Sequence, residues 1–261
     1  MDRVTTTDRR TALRAGAGLV AGGALAAGCA TTGPAAAPAA PARAPAAKAT
    51  PLPAPAPRAF SRQPAQITHG PRDRPRIALT FHGQGDPKIA TALLTEAEKH
   101  GARVTVLAVG TWLDTHPEMA RRILDGGHDL GNHTQRHIAV NTLSEAEALA
   151  EITGCADRLK RLTGSIGTWF RPSRAPAASP LVQRLAHRVG YPHVLSYDVD
   201  SLDFTEPGAP AITRKVLAEV RDGSVVSMHF GYAGTVAALP AVLQELDRRG
   251  LRAVTTTELL S

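Results

Sequence analysis

The chain of 261 residues is poor in the groups that usually staple or decorate a fold. It has two cysteines, and aromatic residues make up only 4% of it. Two thiols exclude a disulfide framework, and they leave one only, Cys155, if Cys29 is modified. Cys155 falls in a helical pattern and reads as a small apolar core residue. Long apolar runs are also absent. The run from Ala15 to Ala27 is too short and too rich in Gly and Ala to span a bilayer. Acidic residues are scarce at the front: residues 1–75 carry ten Lys and Arg against three Asp and Glu, which leaves twenty against twenty for residues 76–261. The net charge of +7 therefore sits entirely in the first part, and the remainder has no basic footprint for nucleic acid.

The front end has its own order. Arg9-Arg10 precedes the weakly apolar run, which ends in Gly28-Cys29, so Met1 to Cys29 reads as an export signal of twin-arginine type with a lipobox. Residues 30–70, mostly Ala and Pro, cannot bury enough apolar surface to fold and read as a disordered tether. The expected location is the outer face of the cytoplasmic membrane, held there by lipid on Cys29, with ordinary secretion as the alternative. The folded domain is expected over residues 71–261, as a monomer.

From Arg76 onward short apolar runs alternate with helical patterns. Strands are expected at Arg76 to Phe81, Val104 to Val109, Asp129 to Asn132, Thr168 to Arg171, His193 to Val199, Ser224 to His229 and Leu251 to Val254. Helices lie between them, among them one opened by the capping box Ser144 to Glu147 and one by Ser179-Pro180. Seven strand–helix units predict an α/β fold with a parallel sheet, closed as a barrel or open and doubly wound. Polar residues follow the strand ends: His82, His133, His137, Arg171, Asp198, Asp200, Asp203 and His229. In such folds that rim is where ligands bind. His133 and His137 are four residues apart, a spacing at which two imidazoles in one helical turn converge on a divalent ion.

These stretches resemble a known family. In order and spacing, Leu79-Thr80-Phe81-His82-Gly83-Gln84-Gly85-Asp86-Pro87, His133-Thr134-Gln135-Arg136-His137, Phe170-Arg171-Pro172, Tyr197-Asp198-Val199-Asp200-Ser201-Leu202-Asp203-Phe204 and Ser227-Met228-His229 are similar to the five motifs of the polysaccharide deacetylases, the NodB-homology carbohydrate esterases. The resemblance implies a distorted (β/α)7 barrel. It also implies removal of acetyl groups from N-acetylated sugars, of peptidoglycan or a chitin-like glycan, with one divalent metal, zinc. By it His133 and His137 are metal ligands, His229 protonates the leaving amine, Asp203 orients His229, and Arg171 braces the catalytic base. Arg174 stands where the family has an aromatic.

The first motif departs from the pattern. Two consecutive aspartates, base and metal ligand, are replaced by His82 and Gly83. Two assignments stay open: His82 as third ligand with Asp86 as base, or the reverse. A further alternative is a domain with impaired catalysis that binds a wall glycan.

Overall fold

The computed structural model describes residues 54–261. The export signal, Cys29 and the tether up to residue 53 lie outside the described residues. In chain order the elements are β1 (Gln66–Ile67), β2 (Arg76–Gly83), α1 (Pro87–Lys99), β3 (Thr105–Ala108), α2 (Gly110–Thr115), α3 (Glu118–Asp125), β4 (Asp129–Asn132), α4 (Glu145–Thr163), α5 (Pro180–Val189), β5 (Val194–Leu195), β6 (Val199–Asp200), α6 (Ala209–Glu219), β7 (Val225–His229), α7 (Ala233–Arg248), β8 (Arg252–Ala253) and α8 (Thr256–Leu259).

The strands form a distorted parallel barrel. Its main sheet runs β4-β3-β2-β7-β6, and β8 pairs with the first residues of β2. Single parallel bridges through Phe170 join Asn132 of β4 to Val194 of β5. Period-two alternation divides the strand residues between two environments. Ile77, Leu79 and Phe81 of β2, with Val226 and Met228 of β7, pack outward in one core with Leu93 and Leu94 of α1 and Leu239 and Val242 of α7. The residues between them point into the barrel. Its lower part is an apolar plug of Ala78, Leu107, Trp169, Leu195 and Val225. Above the plug the interior turns polar, with Thr80, Ser227 and Arg171 below His82 and His229.

Local signals set the helix ends. Ser144 and Glu147 form the expected reciprocal capping box on α4, which closes on Gly164 in the left-handed region at φ 80°. Ser179 caps α5, with Pro180 in its first turn.

Three expectations need correction. Thr168 to Arg171 is not a regular strand: it runs beside β4 with hydrogen bonds from Thr168 to Leu130 and from Arg171 to Asn132, but only Phe170 makes a bridge before the chain turns away. His193 to Val199 breaks into β5 and β6, since the chain changes neighbour there, from β1 to β7. Residues 54–70 are not disordered tether. Ile67 is fully buried and pairs with Leu195, Phe60 stacks on Trp169 with ring centroids 5.6 Å apart, and His69 bridges Ser224 just ahead of β7. This segment closes the ring between β5 and β7, where no ladder joins them directly.

Candidate active site

The carboxyl ends of β2, β4 and β7 bring His82, His133 and His229 together, with the turn after β4 adding His137. The rings of His82 and His133 stack at 4.2 Å, His82 meets His229 edge-on at 4.4 Å, and His133 lies 5.0 Å from His137. The turn carrying the two motif histidines is held from α4: both the backbone N–H and the side chain of Arg136 bond to the buried carboxylate of Glu151. Thr134 and His137 both take left-handed backbone, φ 68° and 56°, so the pair is displayed by a tight turn and not by the helical turn that the spacing suggests.

A continuous hydrogen-bond chain fixes the ring tautomers. Arg171 can only donate, so His82 Nε2, 3.2 Å from its guanidinium, accepts. His82 Nδ1 then carries the hydrogen and donates to His229 Nε2 at 2.8 Å. His229 Nδ1 donates in turn to Asp203 at 2.7 Å. The buried Asp203 carboxylate is completed by the His229 backbone N–H and the Thr235 hydroxyl, at 2.8 and 2.7 Å. Four partners expected at the site, Arg171, His82, His229 and Asp203, are thus joined, and Thr235 is a supporting group for which the sequence holds no signal.

Arg171 is fully buried and has no carboxylate partner. Its guanidinium donates to Thr80 Oγ1 and to the carbonyls of Leu195 and Ser196. Burial lowers its pKa to about 9. Burial also holds His82 and His133 well below the ordinary imidazole range, with the neighbouring histidines and Arg171 adding to the effect. His137 falls to about 4, by burial and then by the Arg174 charge. His82, His133 and His137 are accordingly neutral at physiological pH.

The expected zinc was tested on the donor set. His133 Nδ1 donates to the Arg171 carbonyl, so Nε2 holds the lone pair; it is buried and has no partner, as a ligand atom would be. His82 fails as a third ligand, because both of its nitrogens are engaged, by Arg171 and by His229. Asp86 fails as well, both as ligand and as base. It is exposed, caps α1 by accepting from the Lys88 N–H at 2.8 Å, and does not line the cleft. Among the described residues no three His, Cys, Asp or Glu side chains are arranged to hold a metal ion. The residues present do not fit a catalytic site with three protein ligands.

The place of the family's second aspartate is also filled. A Cβ on Gly83 would lie 2.9 Å from Val106 Cγ1 and 3.1 Å from Ala108 Cα. Asp198, one of the acids expected at the rim, is structural: it pairs with Arg72 at 2.7 Å and accepts from the Val225 N–H.

The cluster opens into a cleft of about 510 Å³, lined by His82, His137, Arg174, Asp200 and the aromatic rings of Tyr197, Phe204 and Tyr232. Tyr197 and Phe204 lie within the fourth motif, where a reading for carboxylates passes over them. A cavity of about 820 Å³ lies by Arg58, Arg121 and His128, near the amino end of β4, away from the histidines.

Comparison with known proteins bears on the same residues. The model of the family described as polysaccharide deacetylase matches residues 69–194. A peptidoglycan-N-acetylglucosamine deacetylase of Bacillus cereus is 29% identical over 194 residues, 73% of this chain and 90% of that protein. One of Listeria monocytogenes is 29% identical over 184 residues, 70% of this chain but 38% of the other, so the chain spans about two fifths of that relative's length. Among solved structures, a CE4 family pseudoenzyme from Bacillus anthracis shares the fold with a TM-score of 0.72, at 24% identity over 76% of this chain and 70% of that one. The first three motifs fall within the family match, and the barrel carries the other two beside them: residues 69–194 of this chain carry a polysaccharide deacetylase family domain.

Proposed function

We propose that this domain recognises an N-acetylated glycan of the cell envelope, of the peptidoglycan or chitin-oligosaccharide kind, in the cleft above His82 and His229, and that its capacity to hydrolyse the acetamide is impaired. The observation that carries this reading is the engagement of both His82 nitrogens, one by Arg171 and one by His229. Hydrolysis of an amide needs a base to activate water and a positive centre to polarise the carbonyl. The end of β2 supplies no carboxylate for the first, and the donor set falls short of the second. Tyr197, Phe204 and Tyr232 suit the apolar faces of sugar rings, and the neutral histidines suit hydroxyl and amide groups.

A second reading, deacetylation itself, is favoured by the other half of the site. Asp203 accepts three hydrogen bonds in full burial and orients His229 beside the cleft, the carboxylate–imidazole pairing that a proton donor to a leaving amine requires once its Nε2 is released from His82. One experiment separates the two: titration of the protein with chitotetraose and with soluble peptidoglycan fragments, alongside measurement of acetate release with zinc added. Binding without release supports recognition. Release at enzymatic rates establishes deacetylation, and neither binding nor release discards both.

We also propose display at the outer face of the cytoplasmic membrane through lipid on Cys29, with no nucleic-acid partner. Cys29→Ser should free the protein into the medium or leave it unprocessed, and wild type already free would refute the anchor.

A further inference from the structure

Four buried side-chain polar atoms among the described residues lack a hydrogen-bond partner, and of the residues that carry them only Ser227 lines the cleft. Ser227 is 1% exposed and sits on β7 two residues before His229, so both side chains lie on the strand face that points into the barrel. Across the ladder Ser227 is level with Thr80, as His229 is with His82. The Thr80 hydroxyl is fully used: it donates to the Val226 carbonyl at 2.6 Å and accepts from Arg171 at 2.8 Å. The Ser227 hydroxyl has both its donor and its acceptor capacity to offer a ligand.

Resting on the reading that an N-acylated sugar occupies the cleft, we infer that Ser227 makes its acyl end selective for a hydroxyacetyl (N-glycolyl) group over an acetyl group. Residues two apart on a strand are about 6.5–7 Å apart. An amide nitrogen level with His229 Nε2, with its acyl chain running down the barrel, carries a glycolyl hydroxyl about 3.6 Å below it, which leaves about 3 Å, one hydrogen bond, to the level of Ser227. An acetyl methyl there leaves the hydroxyl unpaired in a dry site, whereas a glycolyl hydroxyl both gives and takes a hydrogen bond. No charged side chain is needed for this pairing.

The test is calorimetric titration of the full-length chain with N-glycolyl chitotriose and with ordinary N-acetyl chitotriose. Wild type is expected to bind the glycolyl sugar about three- to tenfold more tightly, the worth of one net hydrogen bond. Ser227→Ala should abolish the preference by weakening the glycolyl sugar alone, and Ser227→Cys, similar in volume but a poor donor, should fall between. Equal affinities in wild type, or a preference that survives in a Ser227→Ala protein that melts like wild type, would overturn the selectivity while leaving glycan recognition intact. Failure of wild type to bind either sugar would instead overturn the recognition on which it rests.

Discussion

Acid should loosen this fold through the histidine cluster, and by an amount the geometry sets. His82 and His133 are buried beside each other and beside the unpaired Arg171 charge, and both are held well below their ordinary pKa of 6.5. When unfolded, each takes up a proton near pH 6.5; when folded, neither does until the pH is far lower. The unfolded chain therefore binds more protons below that point, so stability is retained above about pH 6.5 and lost as the pH falls toward the folded values. Between about pH 7.5 and 5.5 each ring contributes a loss on the order of 1 kcal/mol, so the two together roughly 2–3 kcal/mol. Urea unfolding at those two pH values, followed by the fluorescence of the buried Trp112 and Trp169 in the presence of a chelator, reads this directly. His133→Asn keeps an N–H donor near the Arg171 carbonyl and removes one titrating ring, so its loss over the same interval should be smaller by roughly 1 kcal/mol. A variant whose stability falls as steeply as wild type's would refute the claim that His133 is neutral in the fold.

Other perturbations follow from the packing. A chain begun at residue 71 should be markedly less stable than one begun at residue 54, since it loses β1 and uncovers Trp169; equal urea midpoints would show that the segment is dispensable. Within that segment Ile67→Ala should cost about 2–5 kcal/mol, as for a fully buried large-to-small change. Gly83→Asp should destabilise by about 1–3 kcal/mol through overpacking against Val106 and Ala108, and Val106→Ala should recover part of it; a neutral Gly83→Asp would mean that the two strands yield freely. On the recognition reading, His82→Asp with Gly83→Asp and Val106→Ala should gain zinc-dependent acetate release from chitotetraose that wild type lacks, and release by wild type at the same rate would contradict it.

Much of the barrel is legible in the sequence because its signals are local. The alternation in β2, the box at Ser144 and the cap at Ser179 each act within a few residues, and each lies where the pattern places it. What escapes depends on distant partners. Phe60 and Ile67 are isolated apolar residues in an Ala/Pro-rich stretch, and their burial is set by Trp169 and Leu195, far along the chain. Asp86 escapes for another reason: Asp before Pro at the start of an amphipathic pattern is itself a helix-cap signal, and that local use outweighs a reach into the cleft. The motif comparison places His82 at the right strand end. It does not reveal that Arg171 and His229 take up both ring nitrogens, because that follows from the side-chain network.

The central position of β2 also governs when the protein can fold. Thr80 pairs with Thr105 on one side, but Ala78 pairs with Val225 and Ile77 with Ala253, almost at the end of the chain. During synthesis the first half of the barrel has no neighbours for one edge and the lower end of its middle strand until Val225 to Ala253 leave the ribosome. Partners so far apart in sequence put the closure entropy ahead of the gain from pairing. The barrel therefore closes only once residues through Ala253 are available to β2, and any chain halted before them presents an open sheet edge to chaperones or to other copies of itself.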